Sequence, residues 1–527
     1  MTRTLPALLF LAPLATADWT TGVGGHAARD GLSPDTGPAA ANLLWQGSVP
    51  AQVAQQAVIE GNVVAMARIM SLSDVLNGTL IVAQDLRTGQ QLWTAQLPVS
   101  FPDAWRNRVT AIRDGVVYAT RSGNTNAEYL YALSAANGAV LWRSQARITE
   151  TSTESLSFAA NGDPITTGQG AVIRIDKTNG NTLWSIPRAC PVSDGCNTAV
   201  FGNRGYFFEA AAPGSVVTAV DVDLGMRRYS TTVLAGGSQI GPFVGPDGTV
   251  YAARANNNPG SDFLVAFTDT GTGFTERWRS PIGYVPFASF GVGPDGSVYS
   301  YTPNREVVRL NPVTGMVMNT ASAILSDFPP QPRMAIDALG RVFVTNGGFP
   351  NGGLWSFNAD LTPRWNVAIP NVNVGGPAIG RRGILVVCGV GTNVRAYYPP
   401  DQFALLSTTD TPRVGTTVNL QVRADGDAGN GWLAACSLGS LPGFPIDTRV
   451  VPLNPDLLFA LSLSTPSIFD NFLGVLDGMG RGTARIHIPG VQGLVGITIY
   501  AAFVSLRPGA PSGVGVIADA LGLTFVP

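Results

Sequence analysis

The sequence predicts an all-β protein, an eight-bladed β-propeller followed by a small β-sandwich, and three observations carry the prediction. A phrase of the form Asp-x-x-Thr/Asn-Gly leading to a tryptophan recurs along the chain. A second phrase, a turn glycine followed by a short apolar strand, alternates with it. Beyond about residue 405 both cease, and spaced runs of strand formers replace them. A chain of 527 residues is too long for one ordinary core, so either several domains or a repeat architecture is expected. A spacing of about 45 residues between copies selects the repeat.

The first phrase reads AQDLRTGQQLW (Ala83–Trp93), ALSAANGAVLW (Ala132–Trp142), RIDKTNGNTLW (Arg174–Trp184) and AVDVDLGMRRY (Ala219–Tyr229). It continues as AFTDTGTGFTERW (Ala266–Trp278), RLNPVTGMVMN (Arg309–Asn319) and SFNADLTPRW (Ser356–Trp365). In it Asp85, Asp176 and Asp221 are expected to bond their own backbone in a tight turn, with glycine taking the positive φ. Each tryptophan, four residues after the glycine in the copies ending at Trp93, Trp142 and Trp184, falls on an outer strand. There it can bury about 200 Å² against the neighbouring blade and satisfy its indole N–H. Trp93, Trp142, Trp184, Trp278 and Trp365 are thus candidate structural docking residues.

The second phrase carries Gly61, Gly115, Gly248, Gly296, Gly340 and Gly383, with Gly162 and Gly205 filling the gap. That makes eight turn glycines for seven docking phrases. The last strand phrase, NVRAYYPP, has no tryptophan strand after it, and the missing piece is ANLLWQGSVP near the start, with Trp45. If that strand joins the last blade, the ring closes and sheet edges that would invite aggregation disappear. The predicted propeller covers residues 18–402 and the sandwich 403–527.

These phrases resemble the tryptophan-docking repeats of the pyrroloquinoline-quinone-like (PQQ-like, or quinoprotein-like) propeller superfamily. The pattern there is Ala-x-Asp-x-x-Thr-Gly-x-x-x-Trp, and Ala83, Asp85, Thr88, Gly89 and Trp93 match it in full. The sixth copy departs from it, ending in Asn319, and the seventh is one residue short. The opening DWTTGVGGHAARDGLSPDTGPAAANLLW is similar to the start of such propellers. The resemblance implies the fold. For activity it points two ways, because some members are quinoprotein dehydrogenases that hold the quinone and a calcium ion centrally, and others are non-enzymatic binding scaffolds. The enzymes' pattern needs an adjacent cysteine pair, and the cysteines here, Cys190, Cys196, Cys388 and Cys436, are never adjacent. No catalytic, cofactor or metal residue is therefore carried over, and no cofactor is expected. The quinone and calcium belong only to the alternative, a PQQ-dependent alcohol or sugar dehydrogenase. A second alternative is a hydrolase or lyase with a site of its own in the central funnel.

The first residues, MTRTLPALLFLAPLATAD, give Arg3, an apolar stretch from Leu5 to Leu14 and small residues before Asp18, the plan of a secretory signal peptide over residues 1–17. Pro6 and Pro13 argue against a buried helix there. Export to the periplasm, cell surface or medium follows. Charged residues are 13% of the chain, Gly numbers 62, Pro 38, and the net charge is −2. Without a basic stripe, phosphate-driven nucleic-acid binding is not expected. An unidentified protein or glycan is the expected partner. Ile486–Leu506 is nearly uncharged and close to the length of a membrane span, but its glycines, Pro489 and the run GITIYAAFV favour buried strands.

Only two histidines exist, His26 and His487, which leaves little material for a histidine metal site or an acyl-transfer triad. In an exported chain, CPVSDGC suggests a local Cys190–Cys196 disulfide. Cys388 and Cys436 sit in apolar strands as buried thiols, or bridge the two domains. In the tail, TTVNLQVRA, GWLAACSL, DLLFALSL, GTARIHIP, GLVGITIYAAFV and VGVIADALGLTFV read as strands. The tail is similar to C-terminal sandwich modules on large secreted bacterial proteins. Asp425, Asp427 and Asn430 are oxygen ligands of the calcium type, though out of step with the helical calcium loop; a solvated hairpin turn is expected.

Overall fold

A computed structural model describes residues 18–527 apart from 24–26, 72, 75–76, 99–106, 122–126, 149–155, 190–196, 236–239, 255–261, 284, 286–287, 326–330, 349, 373–374 and 393. The chain divides into two compact units, the first ending at Tyr397 and the second beginning at Tyr398.

In the first unit the described residues form eight antiparallel sheets of at least four strands. In chain order their first and last strands are Val53–Ala54, continued along the same edge by Val58–Glu60, and Gln91–Ala95 (sheet 1), Arg108–Arg113 and Val140–Ile148 (sheet 2), and Leu156–Phe158 and Thr182–Pro187 (sheet 3). Ala199–Phe201 and Met226–Ser230 bound sheet 4, Phe243–Val244 and Phe274–Pro281 sheet 5, and Gly291–Val292 and Val317–Ala323 sheet 6. Sheet 7 runs from Met334–Ile336 to Pro363–Ala368. Sheet 8 takes three strands from Pro377–Ile379 to Arg395–Tyr397, and its fourth is Leu43–Gln46 from the start of the chain. That strand runs antiparallel to Arg395–Tyr397, with Leu43 opposite Tyr397 and Trp45 opposite Ala396.

First strands of successive sheets lie side by side around a circle, and sheet 8 meets sheet 1. Between sheets 5 and 6 the contact is aromatic, with Phe243 stacked on Phe290 at 5.6 Å. The apolar cores sit between neighbouring sheets: Ala65, Ile81 and Trp93 of sheet 1 pack with Val109, Val117 and Leu133 of sheet 2. Second strands such as Val250–Arg254, buried at every residue, are apolar on both faces because each face meets another sheet.

The turn glycines take positive φ at Gly61, Gly115, Gly162, Gly248, Gly296, Gly340 and Gly383. In sheet 4 the expectation fails by three residues. Gly202, with φ of 57°, makes the turn, and Gly205 lies inside the strand Arg204–Ala211, where a Cβ would come within 2.8 Å of Val220.

In the second unit, Leu405–Ser407, Thr417–Arg423, Arg481–His487 and Phe469–Asp470 form one sheet. Leu473–Val475, Gly431–Ser437, Thr498–Leu506, Val514–Ile517 and Leu521–Thr524 form another. Their inward residues, Val418, Leu420 and Ile486 from one and Trp432, Ala501 and Phe503 from the other, share one core. The segment DLLFALSL corrects the sequence reading, for Leu457–Ser464 is an α-helix. Asp456 caps it, its carboxylate accepting from Phe459 N at 2.9 Å. Leu, Phe and Ala propagate a helix once such a cap starts it. Ile486–Leu506 contains parts of two strands, and among the described residues no helix is long and apolar enough to cross a membrane.

Candidate functional site

The docking tryptophans act at the boundaries between sheets. Trp93 Nε1 donates to Ala135 O of sheet 2 at 2.8 Å, and Trp142 Nε1 to Lys177 O of sheet 3 at 2.8 Å. Trp184 Nε1 donates to Val222 O of sheet 4 at 2.8 Å, and Trp278 Nε1 to Pro312 O of sheet 6 at 2.9 Å. Trp45 of sheet 8 closes the series on Leu86 O of sheet 1, at 2.8 Å. Every acceptor follows the first residue of a docking-phrase turn. Asp85 shows why that carbonyl is well placed: its Oδ1 accepts from Arg87 N and Thr88 N and fixes the turn. Asp176 and Asp221 bond their own turns in the same way. Trp365 differs, since its indole reaches Pro38 O in the N-terminal segment at 3.4 Å. Trp184 and Trp365 are half-buried, the other four buried.

Two boundaries lack the tryptophan. At sheets 6 and 7, where Asn319 stands in its place, Tyr299 takes over. Its hydroxyl donates to Ala359 O at 2.8 Å, the carbonyl after the turn residue Asn358. At sheets 4 and 5, Tyr229 and Tyr206 both donate to the carboxylate of Asp269, Tyr206 at 2.7 Å. The Tyr229 ring meets Phe274 edge-on at 5.4 Å. Burial and the Asp269 bond raise both phenols above their ordinary range. Tyr299 and Asp269 were not singled out in the sequence; the departures at Asn319 and Tyr229 were the available signal.

The centre of the ring is reached by the N-terminal segment, which visits the sheets in order. Asp18 Oδ1 accepts from Gly61 N at 2.7 Å and Trp19 O from Ile59 N at 2.8 Å, both in sheet 1, and Thr20 O from Ile112 N in sheet 2. Ala27 O accepts from Ser157 Oγ in sheet 3 and Val200 N in sheet 4. Ala28 O takes Val244 N in sheet 5, Asp30 O takes Val292 N in sheet 6, and Gly31 O takes Ile336 N in sheet 7. The Asp35 carboxylate accepts from Gly383 N in sheet 8 at 3.2 Å. Innermost strands are edges, and this segment satisfies N–H groups that would otherwise face the middle of the ring. Two arginines are fully buried here, Arg29 and Arg333. Burial lowers Arg29 to about 9, and burial with the charge of Arg29 lowers Arg333 to about 9. Arg29 donates to Leu156 O at 3.2 Å.

Cys190 and Cys196 lie outside the described residues, as does His26. Cys388 and Cys436 are free, buried thiols, so a bridge between them is not formed; burial pushes the Cys388 thiol up to about 12. Asp425 and Asp427 are not a solvated hairpin turn. They lie in a short 3-10 turn, and the Asp427 side chain is buried. Arg423 pairs with Asp425 at 2.7 Å and Arg507 with Asp427 at 2.5 Å. Burial pushes both carboxyls up, and the arginines, with the Tyr398 and Ser505 hydroxyls, outweigh it and leave them below the usual range. Among the described residues no group of three or more His, Cys, Asp or Glu is placed to hold a metal.

No curated protein matches the chain. Residues 77–321 match a family model described as outer membrane protein assembly factor BamB. Among solved structures, BamB from Moraxella catarrhalis is similar at 15% identity over 58% of this chain and 81% of that one, with a TM-score of 0.36. Quinohemoprotein alcohol dehydrogenase from Comamonas testosteroni is similar at 13% identity over 77% of each chain, with a TM-score of 0.37. The family match over residues 77–321 and the docking phrases together support a PQQ-like β-propeller repeat superfamily.

Proposed function

We propose that the protein is an exported, non-enzymatic binding or scaffold protein of the cell envelope or extracellular space. In this reading the eight sheets of the first unit are the blades of an eight-bladed propeller, stapled by the docking tryptophans and closed by Leu43–Gln46. The second unit is a small β-sandwich that aids surface association or stability. The observation that carries the reading is the N-terminal segment. Its hydrogen bonds to all eight sheets fill the inner ring with the chain's own backbone, which leaves binding to the faces and rim. The match to an outer membrane assembly factor family supports a role among protein partners, and the residues before Asp18 support export.

A quinone with calcium does not fit these residues. The cysteines stand apart in sequence. Arg29 and Arg333, buried at the centre, are cations and oppose a calcium ion beside them.

Three measurements test the reading. N-terminal sequencing of the secreted or periplasmic protein is expected to begin at Asp18. Crosslinking in the native envelope is expected to trap a specific partner on the mature chain. Incubation with PQQ and calcium is expected to give no dye-linked alcohol oxidation. Turnover in that assay, or retention of the full-length protein in the cytoplasm, overturns it.

A further inference from the structure

The boundary between sheets 4 and 5 is closed by Tyr229 and Phe274 where most of its counterparts use an indole over glycine. A Cβ on Gly89, Gly138, Gly180, Gly225 or Gly315 would come within 2.5–2.7 Å of the preceding sheet's indole. Around a Cβ on Gly271, which follows Asp269 by two residues where those glycines follow the first residue of their turns by four, nothing lies within 4 Å. The phrase before it ends in Tyr229, whose ring packs edge-on against Phe274, and Gly271 lines a groove of about 540 Å³. That falls within the range of small-molecule sites, about 300–1,000 Å³.

The groove's chemistry is specific. Phe201, Asn203 and Arg204 line it from sheet 4, and Asp247, Asp269 and Arg277 from sheet 5. Two guanidinium groups stand against two carboxylates, so the lining is charge-balanced. Arg277 Nη1 lies 3.5 Å from Asp247 and donates to Thr249 Oγ1 at 2.7 Å. Arg204 lies 3.6 Å from Asp221 just outside the lining. An ion entering would have to break these pairs, whereas a neutral ligand need not. Each carboxylate keeps free lone pairs and each guanidinium further N–H groups, a side-by-side arrangement of acceptors and donors that suits adjacent hydroxyls. Phe201 adds an apolar face that is 40% exposed, with its ring edge beside Gly248.

We propose that this inter-sheet groove binds a neutral saccharide unit, its hydroxyls held by the Asp269 carboxylate and the Arg277–Asp247 pair and its C–H face laid on Phe201. The site stands apart from the centre of the ring and does not depend on whether a protein also docks elsewhere.

The test uses the full-length mature protein on an array of neutral and acidic glycans, followed by titration of each neutral hit observed by ligand NMR. Wild type is expected to bind neutral glycans. Phe201→Ala is expected to weaken them at least tenfold. Arg277→Ala, which removes one member of the Arg277–Asp247 pair, is expected to abolish binding while its unfolding midpoint stays close to that of wild type. Absence of any neutral hit overturns the proposal, as does binding that both variants leave unchanged. If Arg277→Ala instead releases a protein partner trapped in the envelope, the groove is a protein site and the saccharide assignment falls. A trapped partner that survives this variant leaves the scaffold reading intact whatever the glycans do.

Discussion

The boundary between sheets 1 and 2 and that between sheets 4 and 5 are built from the same phrase and end differently. At the first, Trp93 is 7% exposed, lies over Gly138 and gives its indole N–H to Ala135 O. At the second, Tyr229 is half-buried, turns its hydroxyl to Asp269 and packs its ring edge-on against Phe274. The residue that ends the phrase therefore decides whether a seam is closed by an indole over a turn glycine or by a phenol on a carboxylate.

The largest expected contrast comes from removing each aromatic. Trp93→Ala deletes a buried indole and orphans a carbonyl, a loss of about 3–5 kcal/mol. Tyr229→Ala removes a half-buried ring that packs edge-on against half-buried Phe274, and a smaller loss of about 1–2 kcal/mol is expected. Denaturant unfolding followed by far-UV circular dichroism measures both. Equal losses would mean that the two seams carry the same load.

The turn glycines give the next contrast. Gly138 and Gly271 both have positive φ, 73° and 83°, so alanine costs about 1–2 kcal/mol at either from backbone strain alone. At Gly138 the new methyl also strikes Trp93 at 2.6 Å, which adds about 1–3 kcal/mol of overpacking. Gly138→Ala is expected to lower the unfolding midpoint clearly more than Gly271→Ala. The seam between sheets 6 and 7 is intermediate, since Tyr299 supplies by hydroxyl what Asn319 cannot supply by indole. Tyr299→Phe keeps the ring and loses the bond to Ala359 O, at about 1 kcal/mol. Faster amide exchange in sheets 6 and 7, with sheets 1 and 2 unchanged, is the expected readout.

The seams were legible in the sequence because their chemistry is local. Aspartate, glycine and tryptophan sit at fixed offsets, and each offset has its own physical reason. The pairing of Leu43–Gln46 with Arg395–Tyr397 was legible by counting, since one outer strand was missing. What escaped was nonlocal. Tyr299 serves a carbonyl 60 residues away, and nothing in its own phrase marks it apart from Tyr251. The N-terminal segment bonds almost wholly through backbone carbonyls, which leave no side-chain signature. The helix Leu457–Ser464 was missed for another reason. Its apolar run suits strand or helix equally, and the deciding signal was the cap at Asp456. The groove has no motif at all; its lining comes from turns and strands of two sheets.

The smallest effect concerns the turns beneath the seams, and it separates aspartate from asparagine. Asp176 holds its turn with Oδ1 accepting from Thr178 Oγ1 at 2.6 Å and Thr178 N at 2.8 Å. The Thr178 hydroxyl and N–H, with the Asn179 amide, keep its carboxyl below the usual range. Asn311 makes the equivalent bonds to Val313 N and Thr314 N at 2.9 and 3.0 Å, with no proton to gain. A carboxyl whose folded pKa lies below its unfolded value, about 3.9, contributes stability above that value. The contribution is lost as the pH falls through the folded pKa. Between pH 5 and pH 3 the turn at Asp176 should therefore loosen while the turn at Asn311 does not. Once intrinsic rates are divided out, amide exchange is expected to lose protection at Gly180, whose N–H bonds Asp176 O. At Gly315, bonded to Asn311 O, protection should hold. Matching losses at the two glycines would show that the carboxylate charge adds nothing to the turn, and that the seam above Gly180 rests on its indole alone.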